Sequence, residues 1–262
     1  SAAGCLSVLT LNQTPVTLME KVKGICEEAF DEVLDKMNRN YARFLEATHQ
    51  PVHKLPWSRK VVDFMTLYEE AKAAGGEAFE REYRSELKTL QQKLENNEMT
   101  LLDCNFALLD FVYGYITDLS PRVVYGLIPP YYPNVSNRFI TGLAPQIRSL
   151  DVDLDRFTRE RFGQHYVSEE FYTGISDLSY TSISNSEEIS AALSKSMPFY
   201  GTLYDIAISD IETISMPCIN IGPWGKDFHK LTERVLKRDL CERTPAIIQH
   251  AIGLVLADGD RQ

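Results

Sequence analysis

The sequence predicts an α/β protein in which a long N-terminal helix precedes a three-layer α/β domain. From Thr14 to about Leu45, apolar residues recur every three or four positions, which is typical of one face of an amphipathic helix. From about residue 100 onward, short apolar runs alternate with helical patterns, as expected for a sheet covered by helices on both faces. The 262 residues are 44% hydrophobic, which suits a globular chain with a sizeable core.

The N-terminal elements can be placed from their capping residues and breakers. We predict a strand at Cys5–Leu11, followed by the long helix, with Thr14 as its N-cap and Pro15 as its first residue. The apolar stripe of this helix should be buried against a sheet or a second copy of the chain, so a homodimer is one expectation. The stripe consists of Leu18, Val22, Ile25, Ala29, Val33, Met37 and Tyr41.

His49 and His53 lie in a Pro-containing loop after this helix. Their spacing of four would suit a zinc site on a helix, but Pro51 between them opposes a helix, so a plain loop is the other interpretation. The predicted elements that follow are a strand at Val61–Phe64 and helices at Thr66–Ala74, ended by Gly75-Gly76, and at Ala78–Leu94.

The second part of the chain reads as alternating strands and helices. We expect strands at Val123–Ile128, Phe171–Thr173 and Met216–Ile221, and we expect them to share one sheet because each is apolar and each ends in a motif loop. Ile211–Ile214 reads as a loop or an edge segment. The predicted helices are Leu101–Val112, Phe139–Leu150, Asp155–Phe162, Glu187–Met197 and Thr244–Leu256.

The bulk composition excludes several classes of partner. The net charge of −10 opposes a general affinity for nucleic acid. No apolar run approaches bilayer length and no signal-peptide pattern opens the chain, so we expect no membrane partner. The five scattered cysteines form no CxxC pair, which favours reduced thiols and a cytoplasmic location.

The stretch Pro217–Val235 is the main candidate for a functional site. A predicted strand stops at the Gly222-Pro223 turn, and His229 follows just before a helical pattern. A neutral imidazole is a good zinc ligand, and Glu233 or Asp227 could fix its tautomer. The alternative is an ordinary surface histidine at a helix start.

Three ordered motifs carry a family resemblance. They are Asn220–Pro223 leading to His229 and Glu233, Gly174–Tyr180, and Pro129–Pro133. Together they resemble the di-zinc hydrolases of the acetylornithine deacetylase, succinyl-diaminopimelate desuccinylase and carboxypeptidase G type. Within that family they are most similar to a branch concerned with arginine utilisation.

The resemblance implies roles for particular residues. His229 would supply the last zinc ligand, in a complete protein that holds two zinc ions. Ser176 and Asp177 would lie on a facing turn as substrate contacts or as partners of the metal ligand, although Asp177 also suits an Asx turn or a helix cap. The weaker pocket candidates are Tyr180, Asn220, Lys226 and Glu233, with Asn220 alternatively an ordinary strand-end residue.

Much of the metal set of that family has no counterpart here. The chain contains no His-x-Asp pair, and none of its Glu-Glu pairs follows an apolar strand as the family's pair does. The resemblance therefore implies that residues 1–97 are part of a lid or insert region with the long helix. Residues 98–262 would then be the C-terminal part of a zinc-exopeptidase-like catalytic domain.

The expected function follows from this division. The chain would be the C-terminal portion of a metal-dependent amidohydrolase or peptidase of arginine utilisation, acting on a small-molecule amide or peptide. It would hold zinc weakly by itself, and no catalytic residue is assigned. The alternative is a non-catalytic relative, or a dimerising module built on the long helix.

Overall fold

The computed structural model describes residues 2–134, 136–172, 174 and 176–257, and it does not describe the side chain of Asp177. The fold is mixed, about 55% helical with few strands. In chain order the elements are α1 (Pro15–Ala47), β1 (Val61–Asp63), α2 (Phe64–Glu95), α3 (Leu101–Tyr113), β2 (Val123–Tyr125), a 3-10 helix (Asn137–Phe139), α4 (Pro145–Arg148), α5 (Leu150–Phe162), a second 3-10 helix (Asp177–Tyr180), α6 (Ser186–Ser196), α7 (Ile208–Thr213), β3 (Gly225–Lys226), β4 (Arg234–Val235), a π-helical turn (Asp239–Arg243) and α8 (Thr244–Leu256).

The chain divides into two compact units. The first contains the described residues up to Asn134 together with Asn185–Glu212, and the second contains those from 136 to Ser184 and from Thr213 to 257. The boundary expected between residues 97 and 98 remains a prediction, as does the three-layer arrangement. No helix in the described ranges combines the length and the apolar character that a bilayer span requires.

The long helix begins where its capping residues predict. The hydroxyl of Thr14 accepts a hydrogen bond from the backbone N–H of Thr17, and the Thr17 hydroxyl accepts one from Thr14 N–H in return. Pro15 occupies the first turn, where its missing N–H costs nothing. The helix continues to Ala47, two residues beyond the predicted end.

The apolar stripe of α1 is only partly covered by its own chain. Leu18 is buried, but Ile25 and Val33 are each 57% exposed and Met37 is 40% exposed. The expectation that a sheet of this chain buries the whole stripe is therefore wrong for the described residues. Of the seven stripe residues, only Leu18 at the N-terminal end is buried.

A parallel strand pair and two helices form the core of the first unit. β1 pairs with β2 in the register Val61↔Val123, and Asp63 both ends β1 and caps α2. The break predicted at Gly75-Gly76 is confirmed, because the backbone of Gly76 is non-helical (φ 58°, ψ −142°) and α2 consists of two helical segments that meet in a kink there. The centre of this core contains Leu67, Phe79, Leu90, Leu108, Val112 and Phe199.

The second unit is built around α5 and α8. Their buried faces bring together Leu150, Leu154, Ile247 and Ala251, with Phe157 and Leu254 packed against this cluster. The bounds of α8 agree with the prediction at both ends. A longer helix predicted at Phe139–Leu150 is instead a 3-10 turn followed by the short α4.

Several strand predictions are wrong. Cys5–Leu11 forms no strand among the described residues, and Leu6 is 91% exposed. Phe171 and Tyr172 form no strand, while Thr173 lies outside the described residues. Met216–Ile221 forms no strand either, so the three predicted strands do not share a sheet. The segment Ile211–Ile214, predicted as a loop or an edge segment, largely belongs to α7.

Candidate functional site

His229 lies at the tip of a β-hairpin. Residues Gly225 and Lys226 pair antiparallel with Val235 and Arg234, and the Leu236 N–H donates to the Trp224 carbonyl at 2.9 Å below them. A Cβ atom at Gly225 would lie 2.8 Å from the Arg234 carbonyl oxygen, so only glycine permits this close approach. The helical pattern expected after Gly222-Pro223 is therefore a hairpin loop of residues 227–233.

The hairpin loop is held by the carboxylate of Asp227. This carboxylate accepts hydrogen bonds from the Thr232 hydroxyl at 3.1 Å and from the Arg234 guanidinium. The Asp227 carbonyl accepts from Lys230 N–H at 3.0 Å. Asp227 has a positive φ of 56°, a conformation that aspartate tolerates better than most residues. Its side chain thus shapes the loop instead of contacting the imidazole.

The backbone of His229 is fixed, whereas its imidazole is exposed. The His229 N–H donates to Glu233 Oε2 at 3.1 Å, and the residue has a φ of 60°. The ring makes an edge contact with Phe228, with 5.2 Å between the ring centroids. Among the described residues, neither ring nitrogen has a hydrogen-bond partner. Glu233 therefore orients the backbone of the histidine, and both ring nitrogens remain accessible to a ligand.

The second motif forms a separate turn in the same compact unit. Ser176 caps the 3-10 helix Asp177–Tyr180 by accepting a hydrogen bond from Leu178 N–H at 3.2 Å, and its carbonyl accepts from Ser179 N–H. Tyr180 is half-buried. The side chain of Asp177 and all of Ile175 lie outside the described residues. Ser176 thus has a structural role as a cap, and its relation to substrate remains a prediction.

Asn220 and Lys226 lie on either side of Gly222-Pro223, and both are exposed. The ammonium of Lys226 lies 5.4 Å from the centroid of the Trp224 ring, within cation–π distance. Ile219 and Ile221, the neighbours of Asn220, line an apolar groove of about 410 Å³ with α5 and α8. The remaining lining residues are Leu150, Ile248, Ala251, Ile252, Val255 and Leu256.

Sequence reasoning missed two residues that position this region. The Asn137 side chain binds both backbone groups of Cys218, at 3.0 Å to its N–H and 2.8 Å to its carbonyl. This amide satisfies both backbone groups of Cys218, as a neighbouring strand would. Asp239 is 3% exposed and accepts from Trp224 N–H at the base of the hairpin. Neither residue stands in a recognisable motif.

The described residues do not by themselves form a metal centre. Within those ranges, no group of three or more His, Cys, Asp or Glu side chains is arranged to hold a metal ion. His229 fits the role of one ligand, because its imidazole is exposed and neither nitrogen is bonded within the described part of the chain. A tight zinc site takes three or four protein ligands, so no catalytic step through zinc can be derived from this chain alone.

Fold and site together define a mixed, mainly helical α/β protein with an exposed histidine on a braced hairpin. No protein-family model matches the chain, and no solved structure does. Two curated proteins of Bacillus subtilis strain 168 are distantly similar to it. One is the uncharacterized protein YqjN, 24% identical over 265 residues that cover 99% of this chain. The other is Protein RocB, 23% identical over 238 residues that cover 90% of this chain.

The chain spans less than half the length of these relatives, 45% of YqjN and 41% of RocB. These similarities support a distant relationship of this chain to RocB and YqjN. At this level of identity they do not carry over the roles of individual residues.

Proposed function

We propose that this chain is the C-terminal portion of a metal-dependent amidohydrolase or peptidase-like protein of arginine utilisation. In this proposal His229 is one zinc ligand, and a longer polypeptide supplies the others. The observation that carries the proposal is the exposed imidazole of His229, whose backbone is fixed by Glu233 while its ring nitrogens bond to no other described residue. The distant similarity to RocB supports the arginine-utilisation context.

The hairpin would fix the backbone of His229 and leave both nitrogens of its imidazole available to a metal ion. Glu233 binds the His229 N–H and Asp227 binds Arg234, so the loop is ordered before any metal binds. Such pre-organisation lowers the entropy that metal binding must remove. When bound, zinc would polarise the amide carbonyl of the substrate and activate a water molecule.

The pocket roles of the neighbouring residues are also proposals. Lys226 is an exposed cation that suits the carboxylate of an amino-acid substrate, and Asn220 is an exposed amide that could bind the scissile group. The apolar groove beside Ile219 and Ile221 would accept an aliphatic side chain. Ser176, Asp177 and Tyr180 would contact substrate from the second motif. The substrate class is a small amide or peptide.

The test is hydrolysis of aminoacyl amides by the 262-residue chain and by a longer polypeptide that contains it. We expect the 262-residue chain to be inactive and the longer one to be active with zinc. His229→Asn should abolish that activity, since asparagine tolerates the positive φ but is a poor zinc ligand. Full activity of the 262-residue chain, or no effect of His229→Asn, would contradict the proposal.

A non-catalytic role is the second candidate, and the exposed face of α1 favours it. Such a face is typical of an interaction module, and a relative without a complete metal site would keep it. The sequence that precedes this segment in a longer polypeptide separates the two candidates. A His-x-Asp and a Glu-Glu after apolar strands would favour the enzyme, and their absence would favour the interaction module.

A further inference from the structure

The loop between β3 and β4 presents apolar side chains to solvent. Phe228 is 55% exposed and Leu231 is fully exposed, with the exposed His229 and Lys230 between them. We call these four residues the hairpin tip. At the base of the hairpin, the side chain of Trp224 is 58% exposed as well. A hairpin loop that faces water usually carries Gly, Asn, Asp or Ser, because these residues suit tight turns and remain hydrated. The apolar residues of the hairpin tip therefore call for a partner.

The backbone of the hairpin tip is ordered by hydrogen bonds within the loop. The N–H of Lys230 donates to the Asp227 carbonyl and the N–H of Glu233 donates to the Lys230 carbonyl, each at 3.0 Å. The carboxylate of Glu233 accepts from the N–H of His229 at 3.1 Å. Because these bonds already fix the loop, burying the hairpin tip against a partner would remove little further conformational entropy.

The charge around the hairpin tip opposes that of the chain as a whole. Residues 226–238 contain five lysines and arginines and two carboxylates, a net charge of +3, whereas the whole chain has a net charge of −10. Lys226, Lys230 and Lys237 are exposed and have no ion-pair partner among the described residues. A surface that complements the hairpin tip is therefore acidic and contains an apolar pocket.

The proposed function provides a partner with these properties, and the inference rests on it. The remaining ligands of a zinc centre come mainly from carboxylates and imidazoles, so the region that supplies them is rich in negative charge. A polypeptide of the length of RocB or YqjN has more than half of its residues outside the matched segment, since the chain spans 41% and 45% of them. A zinc–nitrogen bond is about 2 Å long, so His229 can share a metal with that region only when its neighbours also lie against it.

We propose that the hairpin tip docks into an apolar, acidic-rimmed pocket of the metal-bearing part of the longer polypeptide. Phe228 and Leu231 fill the pocket, and Lys226 and Lys230 contact its acidic rim. Docking brings His229 to the metal and does not itself require the metal. A second copy of this chain is a poorer occupant, because two identical hairpin tips in contact would place like charges together.

Amide hydrogen exchange tests the docking directly. The N–H groups of Leu231 and Thr232 make no hydrogen bond among the described residues, so they should exchange quickly in the 262-residue chain. The same two groups are followed by mass spectrometry in the longer polypeptide, with both proteins stripped of metal by a chelator. We expect exchange at least about tenfold slower in the longer polypeptide, because the docked loop is excluded from water.

Variants of the longer polypeptide test which side chains are responsible. Phe228→Ser combined with Leu231→Ser should return the exchange of Thr232 N–H to the rate of the 262-residue chain. The same double variant should weaken zinc binding about tenfold, since His229 is then no longer held at the metal. Val167→Ser is the matched control, because Val167 is 76% exposed in the same compact unit but lies outside the hairpin. It should change neither quantity, and circular dichroism verifies that both variants are folded.

Docking and metal binding by His229 can fail separately. Zinc content that is unaffected by His229→Asn, together with a protected hairpin tip, would refute the ligand role and support the docking. Equal exchange of the hairpin tip in the two proteins would overturn the docking, whatever the zinc content. Protection of these N–H groups in the 262-residue chain by phosphatidylserine vesicles, or by raising its concentration, would also overturn it. The occupant would then be an anionic bilayer or a second copy.

Discussion

The backbone N–H of Trp224 donates a hydrogen bond to the buried carboxylate of Asp239, with 3.2 Å between Trp224 N and Asp239 Oδ2. The other oxygen of Asp239 accepts from Arg243 Nη1 at 2.6 Å. One carboxylate therefore joins the base of the His229 hairpin to the helical turn that precedes α8. The position of the candidate metal ligand depends on a residue ten positions further along the chain.

Replacing Asp239 should destabilise the chain strongly. Asp239→Ala leaves the largely buried Arg243 guanidinium without its counter-charge, so we expect the free energy of unfolding to fall by about 3 kcal/mol. Glu242→Ala removes the nearby but exposed ion pair with Arg238 and should change the free energy of unfolding by less than about 0.5 kcal/mol. Urea titration of both variants measures the difference. Equal effects would show that Asp239 does not brace the hairpin.

Two glycines inside helices should respond in opposite directions to substitution by alanine. Gly76 has φ 58° and ψ −142°, where a side chain is strained, so Gly76→Ala should destabilise by about 1–3 kcal/mol. Gly24 lies inside α1, and a Cβ atom added there would meet no described atom within 4 Å, so Gly24→Ala should stabilise by about 0.5–1 kcal/mol. Thermal denaturation of the pair distinguishes the signs. A stabilising Gly76→Ala would contradict the kink.

The cap of α2 predicts a pH dependence of stability. Burial raises the pKa of Asp63, but the Thr66 N–H and hydroxyl and the Lys195 ammonium outweigh it and hold this pKa below its usual range. A folded-state pKa below the unfolded one stabilises the protein above the unfolded value of 3.8, and this contribution is lost as the pH falls through the folded value.

Asp63→Asn isolates this contribution, because asparagine also caps helices but does not titrate. At neutral pH the wild type should be more stable than Asp63→Asn by about 1 kcal/mol. The difference should shrink as the pH falls below about 4. Urea titrations of both proteins at a series of pH values provide the measurement. A difference that stays constant with pH would mean that the charge of Asp63 does not contribute.

The sequence predicted the helices of this chain better than its strands. The start of a helix is determined by nearby residues. The caps of α1 and α3, for example, are made within one turn, by Thr14 with Pro15 and by Thr100 with Asp103. Strand pairing depends on distant partners. Val123 pairs with Val61 as a strand should. In the segment Met216–Ile221, by contrast, Cys218 binds the side chain of Asn137, which lies 81 residues away. No local pattern indicates such a partner.

The sequence predicted where in the chain the candidate site lies, but not the hairpin that holds it. The turn predicted at Gly222-Pro223 is not seen: residues 221–224 have no regular structure, and the turn lies at Phe228 and His229 inside the hairpin loop. The hairpin itself was missed because each of its strands has only two residues, too few for an alternating pattern. The hydrogen bonds that Glu233 and Asp227 make within the loop were not predicted either. They depend on positive φ values at Asp227 and His229, which the sequence does not indicate.

The most direct test of the proposed function is the zinc content of the longer polypeptide with His229→Asn and with His49→Asn. The two histidines are closely matched, since both are exposed and have φ values of 60° and 57°. We expect His229→Asn to remove at least one zinc ion per chain, measured by atomic emission after gel filtration, and His49→Asn to remove none. Unchanged zinc in His229→Asn, or equal losses in both variants, would contradict the assignment of His229 as a metal ligand.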